Sequence, residues 1–188
     1  MKKVVWGVTG GGDKLAETIQ VMIDLKKLYA SKVDIKVYLS KAGEQVVRSY
    51  RLANYLKANF GSILVEINSN SPFLSGALEL GEFEFLLIAP ASSNTVAKIS
   101  TGIADTLLSN SAIMALKSFI PVYILPTDYR EGLTVTKLPD GRELKLRIRK
   151  EDAANVKKLA RMDDMHIIVR TEDIHQVFKK YFKLGKDN

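Results

Sequence analysis

The stretch that decides the fold is LLIAPASSNTVAKISTGIADTLLSNSA, residues 86–112. Its start, together with residues 84–85, gives EFLLIA, an apolar run of strand length that is typical of a strand buried on both faces of a parallel sheet. Pro90 has no backbone N–H and is predicted to end this strand. Ser92, Ser93, Asn94 and Thr95 follow, and residues of these types commonly begin helices. The stretch therefore predicts a buried strand, a polar loop and a helix.

Two interpretations of this polar loop are open from its residues alone. Hydroxyls, an amide and free backbone N–H groups at a helix start can bind a phosphate or the polar edge of a ring. The same residues can equally do no more than cap the helix.

Strands and helices alternate on either side of this stretch. Such alternation predicts a parallel sheet covered by helices on both faces, with ligands bound at the carboxyl ends of the strands. The loops after Val8, Leu39, Ala89 and Leu125 are therefore the expected ligand loops. The predicted strands are 2–8, 34–39, 63–67, 84–89 and 120–125, the last ended by Pro126, and the predicted helices are 14–29, 43–59, 73–80 and 103–119.

The pattern changes after Leu125. Residues 133–136 and 143–149 flank a Pro-Asp-Gly turn at 139–141, which predicts a β-hairpin arm. A helix at 151–162, a strand at 166–169 and a helix at 171–182 are expected to follow. The whole chain is predicted to form a single domain, with a ligand-binding core at 1–130, the arm at 131–150 and C-terminal helices and a strand at 151–188.

Composition narrows the possible functions. The 188 residues are 46% hydrophobic and include no cysteine, so redox chemistry would need a bound cofactor. No signal peptide and no run of about 18 apolar residues is found, so a cytoplasmic protein without a membrane span is expected. The net charge of +7 favours anionic ligands or acidic protein partners. No metal-ligand spacing and no nucleic-acid-binding pattern accompanies this charge, so neither a metal site nor nucleic-acid binding is predicted.

The glycine-rich turn GVTGGGDK, residues 7–14, offers backbone amides to a phosphate but fits neither familiar phosphate motif. A Walker loop needs lysine directly after Gly12, where Asp13 stands. The dinucleotide fingerprint needs a glycine where Leu15 stands, and the second strand ends in Ser40 and Lys41 instead of an acidic residue. An ordinary strand-to-helix turn is the alternative. Ser40 and Lys41 would favour a phosphate.

A ligand that contacts these loops would be extended, with a phosphate at one end and polar ring atoms at the other, which is the shape of riboflavin phosphate. The GVTGGG turn, Ser40 and PASSNTVAKISTGIADTLL together resemble the homo-oligomeric flavin-containing cysteine decarboxylase family, which also includes flavin prenyltransferases. The Pro-Thr-Asp after the fifth strand and PDGRELKLRIRKEDAANVKKL resemble its archaeal flavoprotein and dihydromethanopterin reductase branch. The resemblance covers nearly the whole chain.

This resemblance implies a three-layer αβα fold, Rossmann-like (flavodoxin-like), with a parallel sheet, a C-terminal β-hairpin arm and helices. It also implies a homo-oligomer with FMN at a subunit interface. The predicted helix 103–119 agrees with an interface because it is apolar on more than one face, and Asp105 would lie near that interface or in solvent. The implied FMN-binding residues are Thr9, Gly10, Gly11, Ser40, Pro90, Ala91, Ser92, Ser93, Asn94 and Thr95.

Two elements of the decarboxylases are missing. The first helix has no histidine, and PTDYREG replaces the PxMNxxMW loop. His166 and His175 are interpreted as structural and surface residues, so no catalytic residue is assigned. The prediction is an FMN-dependent oxidoreductase that passes electrons from a donor such as ferredoxin to an acceptor such as dihydromethanopterin. An electron carrier without a small-molecule substrate, and a flavin-dependent lyase or prenyltransferase, are the alternatives.

The predicted arm carries a charge pattern of its own. Along 143–149, Leu144, Leu146 and Ile148 point to one side and Lys145, Arg147 and Arg149 to the other, because strand side chains alternate. We hypothesise that this basic stripe lies near the flavin and binds an acidic donor protein or an anionic pterin. A charged edge that prevents strand pairing is the alternative.

Overall fold

The computed structural model describes residues 1–182 and divides them into eight strands and eight helices. In chain order they are β1 Lys2–Val8, α1 Leu15–Leu28, β2 Val33–Leu39, α2 Lys41–Ser49, α3 Ala53–Phe60, β3 Ile63–Val65, α4 Ser75–Glu79, β4 Leu86–Ala91, α5 Ser93–Thr101, α6 Leu107–Lys117, β5 Val122–Pro126, β6 Gly132–Lys137, β7 Glu143–Ile148, α7 Lys150–Leu159, β8 Met165–Ile167 and α8 Ile174–Tyr181. A 3₁₀ turn, Thr171–Asp173, precedes α8. The part of the predicted C-terminal region beyond residue 182 lies outside the described residues.

The central sheet has six strands in the order β3-β2-β1-β4-β5-β8, and every neighbouring pair is parallel. The predicted α/β fold with a parallel Rossmann-like sheet is thereby confirmed. The predicted hairpin is present as the antiparallel pair β6 and β7. Successive strands are added in one direction from β1 to β3 and in the other from β4 onward. The loops after β1 and β4 therefore diverge and leave a crevice between them.

Two apolar clusters fill the two faces of the sheet. Along β1, Val4, Trp6 and Val8 belong to one cluster and Val5 to the other, as the alternation of strand side chains requires. Trp6 is fully buried, and its indole Nε1 donates a 2.7 Å hydrogen bond to the Ala89 carbonyl oxygen. This bond joins β1 to β4 at the residue before Pro90, where the polar loop after β4 approaches.

Pro90 does not end β4 as predicted, because the strand continues to Ala91. The pairing of β4 with β5 changes register between Ile88 and Ala91, and such an irregularity accommodates a residue that has no N–H to donate. Pro126, predicted to end the fifth strand after Leu125, is instead the last residue of β5.

The predicted helix 43–59 is divided into α2 and α3. Arg51 separates them with a left-handed φ of 58°. The N–H of Leu52 donates to the carbonyl of Val47, and the partly buried Leu52 packs against the core, which together form the usual left-handed end of a helix. The predicted helix 103–119 is also shorter, since α6 begins at Leu107 and leaves Asp105 exposed in a turn, paired with Lys98 at 2.9 Å.

No helix within residues 1–182 combines the length and the hydropathy that a membrane span needs.

Candidate functional site

A cleft of about 330 Å³ lies at the carboxyl ends of β1, β4 and β5, where the crevice between the diverging loops is expected. The hairpin forms its remaining wall. The cleft is lined by Gly10, Gly11, Gly12, Asp13, Tyr50, Ser92, Ser93, Asn94, Thr127, Asp128, Thr134, Thr136 and Leu146. A larger cavity of about 560 Å³ lies between α2, α3 and β3 at the edge of the sheet. The smaller cleft is the better candidate because three polar strand-end loops meet there.

The glycine turn is packed so closely that side chains would not fit. A Cβ added to Gly11 would lie 2.6 Å from Cγ2 of Thr127, and one added to Gly12 would lie 2.6 Å from the Tyr50 hydroxyl. Among the described residues, the backbone N–H groups of Gly10, Gly11 and Gly12 have no hydrogen-bond acceptor. The turn therefore presents unpaired donors to the cleft, and such donors favour an anion or a carbonyl oxygen.

The loop after β4 supplies a second set of donors. Ser92 is the N-cap of α5, and its Oγ lies 3.4 Å from the backbone nitrogen of Thr95. The backbone N–H groups of Ser93 and Asn94 have no acceptor within residues 1–182. They point from the start of a nine-residue helix, whose dipole adds to their attraction for negative charge.

Thr9 holds the two loops together. Its hydroxyl donates to the Pro90 carbonyl oxygen at 3.0 Å and accepts the Ser92 N–H at 2.7 Å, and the residue is 1% exposed. The only hydroxyl hydrogen is thus already used. Thr9, predicted as an FMN-binding residue, lies behind the cleft and positions the groups that line it.

Ser40 also lies outside the cleft lining. Its Oγ accepts the Gly43 N–H at 2.9 Å as the N-cap of α2, and the next N–H, of Lys41, lies 3.3 Å from the Glu66 carboxylate. At the start of α2, the N–H groups of Lys41 and Gly43 therefore already have acceptors. Of the ten predicted site residues, Pro90, Ala91 and Thr95 are also buried behind the lining. The five that line the cleft are Gly10, Gly11, Ser92, Ser93 and Asn94.

Several lining residues were not predicted from the sequence. Thr127 and Asp128 follow β5, whose end was expected to carry a ligand loop, and the Asp128 carboxylate accepts hydrogen bonds from the Ser93 and Thr127 hydroxyls. Tyr50 was not predicted as a lining residue, because the sequence pattern did not indicate that a helix ends at this position. Its hydroxyl donates a 2.8 Å hydrogen bond to the Lys137 carbonyl oxygen and so links α2 to the hairpin.

The charge of the lining comes from carboxylates and main-chain dipoles. Asp13 and Asp128 line the cleft, and no lysine or arginine within residues 1–182 lines it. Lys14, the residue nearest to a Walker lysine, directs its Nζ away toward the carbonyl oxygens of Val169, at 3.3 Å, and Pro126, at 3.5 Å. The main-chain N–H groups are therefore what the cleft offers to an anionic or polar ligand. Residues 1–182 contain no group of three or more potential ligand side chains placed to bind a metal.

The basic side chains of the hairpin face away from the cleft. Thr134, Thr136 and Leu146 line the cleft, whereas Lys145 and Arg147 lie opposite Val135 and Leu133 on the other face of the hairpin. Arg149 does not continue the stripe, because its guanidinium binds the Asp152 carboxylate at 2.6 and 3.0 Å.

A doubly wound α/β fold with a cleft of unpaired main-chain N–H groups at the point where the strand order reverses is typical of nucleotide- and cofactor-binding proteins. Residues 1–167 match the family model described as Flavoprotein, and the chain belongs to this family. The match confirms the resemblance at the level of the family.

Two relatives from Methanocaldococcus jannaschii extend over nearly the whole chain. An uncharacterized protein is 43% identical over 186 residues, which are 99% of both chains. A dihydromethanopterin reductase (acceptor) is 31% identical over 238 residues, covering 94% of this chain and 95% of the relative.

Solved structures also support membership of the flavoprotein family. The crystal structure of Burkholderia xenovorans DmrB in complex with FMN, described as a cubic protein cage for redox transfer, superposes with a TM-score of 0.78 at 30% identity and covers 96% of this chain and 94% of that one. The cysteine decarboxylase SpaF superposes with a TM-score of 0.61 at 20% identity, which shows a common fold alone.

Proposed function

We propose that this protein is an FMN-dependent oxidoreductase. The observation that carries the proposal is the convergence of unpaired N–H groups from the glycine turn and from the start of α5 in one cleft at the reversal of strand order. Membership of the flavoprotein family, and similarity to an FMN-bound redox protein, support FMN as the ligand.

The residues present fit this cofactor. Gly10, Gly11 and Gly12, with Ser93 and Asn94, would bind its phosphate and ring oxygens through their main-chain N–H groups. Behind them, Thr9, Ser40, Pro90, Ala91 and Thr95 would hold the loops in place. Bound FMN would supply the capacity to take up electrons and pass them on. The hairpin residues Thr134, Thr136 and Leu146 would shield it from water.

Dihydromethanopterin is the proposed acceptor, because relatives at 31% and 37% identity are dihydromethanopterin reductases. A flavin electron carrier without a small-molecule substrate is the second candidate. One observation favours it, since neither His166 nor His175 is among the residues that line the cleft.

We also propose a homo-oligomer with FMN at a subunit interface. Ile103 is 48% exposed, and Ile113 and Met114 of α6 are half-buried, so this region retains apolar surface for a second copy. The cage formed by DmrB supports such an assembly. The cytoplasmic location expected from the sequence stays a prediction.

An acidic donor protein such as ferredoxin is proposed to bind the outer face of the hairpin. Lys145 and Arg147 lie there beside Leu133 and Val135, which are 82% and 50% exposed. Basic and exposed apolar side chains on one face are complementary to an acidic protein surface.

One experiment separates the candidates. The purified protein is loaded with FMN, reduced without oxygen and mixed in a stopped-flow instrument with dihydromethanopterin. Rapid reoxidation of the flavin by dihydromethanopterin is expected for the reductase. A carrier would be reoxidised by oxidised ferredoxin in a parallel experiment, but not by dihydromethanopterin. A colourless protein that binds no added FMN would contradict both.

A further inference from the structure

The loop between β5 and β6 separates the cleft from a second depression. Thr127 and Asp128 line the cleft, whereas the next residues, Tyr129 and Arg130, line two adjoining cavities of about 290 and 320 Å³ against α7. Both cavities contain Tyr129, Arg130 and Lys157. We call them together the Tyr129 groove, whose polar lining is Tyr129, Arg130, Glu131, Lys150 and Lys157.

Positive charge dominates the Tyr129 groove. Arg130, Lys150 and Lys157 face it together with a single carboxylate, that of Glu131. Within residues 1–182, none of these three cations forms an ion pair, and the Arg130 guanidinium lies over the Tyr129 ring at 5.4 Å from its centre. A groove with three unneutralised cations is complementary to an anionic group.

Arg149, which precedes Lys150 of the groove, differs from the groove cations because it forms an ion pair. Hydrogen bonds from Arg149 lower the pKa of the Asp152 carboxyl and join the two side chains into an ion pair at the start of α7. The local carboxylate is thus engaged by Arg149 and does not neutralise the groove. The remaining walls are apolar and are formed by Ala153, Ala154, Val156, Ala160 and Ile167. Such walls suit the carbon skeleton of a small molecule.

We propose that the Tyr129 groove binds an anionic group, a phosphate ester or a carboxylate, of the small molecule that exchanges electrons with the flavin. The inference rests on the proposed function, because one loop, residues 127–131, lines the cleft proposed for FMN with its first two residues and the groove with the next three. Asp128 fixes the loop from the cleft side through Ser93 and Thr127. A molecule held by Arg130 and Lys157 would be bound by the loop that also lines the cleft, since Arg130 follows Asp128 by two residues.

The test compares two double variants of the FMN-loaded full chain. Arg130→Gln/Lys157→Gln removes two groove cations, and Lys158→Gln/Arg161→Gln removes the same charge from exposed positions outside the groove lining. Calorimetric titration with inorganic pyrophosphate measures anion binding directly. We expect the groove variant to bind pyrophosphate at least about tenfold more weakly than the parent, and the control to bind it within about twofold.

Stopped-flow reoxidation with dihydromethanopterin gives the second readout. The groove variant is expected to raise the half-saturating concentration by about tenfold while the limiting rate changes less than about threefold. Pyrophosphate that does not bind the parent, equal losses in both variants, or an unchanged half-saturating concentration would overturn the proposal. If pyrophosphate binding depends on the groove but dihydromethanopterin does not reoxidise the flavin, the groove is supported and the proposed acceptor is wrong.

Discussion

At the scale of single residues, the cleft depends on the absence of one methyl group. The Gly11→Ala variant would bring a Cβ within 2.6 Å of the Thr127 methyl group and push the two loops apart. Because such overlap costs about 1–3 kcal/mol, we expect FMN to bind about five- to 150-fold more weakly. Quenching of flavin fluorescence during titration measures the affinity.

A second substitution tests the cause. Thr127→Ser removes the methyl group and keeps the hydroxyl that binds Asp128, so Gly11→Ala/Thr127→Ser should recover most of the affinity. Parent-like binding by Gly11→Ala alone would contradict the close approach described for the turn.

Substitutions of Thr9 test whether this residue positions the cleft loops or contacts the ligand directly. Thr9→Val keeps the shape but leaves the Ser92 N–H without its buried acceptor, which should lower the free energy of unfolding by about 1–3 kcal/mol even without FMN. Urea unfolding of the FMN-free protein measures this change. The control is Thr9→Ser, which keeps the hydroxyl. If Thr9→Val weakens FMN binding but leaves the FMN-free protein as stable as the parent, Thr9 contacts the cofactor instead.

At the scale of secondary-structure elements, one hydrogen bond links α2 to the hairpin. Tyr50→Phe removes the donor to the Lys137 carbonyl oxygen, and we expect FMN release about three- to tenfold faster with the fold unchanged. Displacement of FMN in a stopped-flow instrument gives the rate. Tyr55→Phe is the matched control, because it removes a similar exposed hydrogen bond, to Gln20, far from the cleft. Equal release rates in the two variants would argue that the hairpin does not retain the cofactor.

The same elements explain what the sequence could and could not predict. Periodicity located the strands, the hairpin and the loops after β1, β4 and β5, because each depends on local pattern. The end of α2 at Arg51 was missed because no glycine or proline marks it; the packing of Leu52 against the core stabilises that left-handed turn. Tyr50 was missed for the same reason. The position of Pro90 inside β4 depends on pairing with β5, which local sequence does not encode.

At the scale of the whole molecule, charge is distributed over distinct faces. Donor recognition is assigned to the outer face of the hairpin, so Lys145→Glu/Arg147→Glu should slow reduction by ferredoxin about tenfold at low salt and flatten its salt dependence. The control Lys27→Glu/Lys179→Glu makes the same change in net charge at exposed positions on α1 and α8. Similar slowing in both variants would mean that net charge, and not the hairpin face, governs the reaction.

The division of the chain at residues 130 and 150 stays a prediction at this scale. The structure divides the site residues implied by the resemblance into those that line the cleft and those that hold its loops. Sequence similarity alone does not distinguish these two roles. The distinction between Gly11 and Thr9 arises from which hydrogen-bonding groups are already paired, and that depends on tertiary contacts.

Trp6 gives this protein its own optical reporter. It is the single tryptophan of the chain, and its indole N–H is bonded to Ala89 beneath the cleft. Its emission should be that of an apolar environment, and a flavin bound above it should quench that emission by energy transfer. Cofactor loading and the integrity of the β1–β4 junction can thus be followed by ultraviolet fluorescence in every variant described above, with no added label.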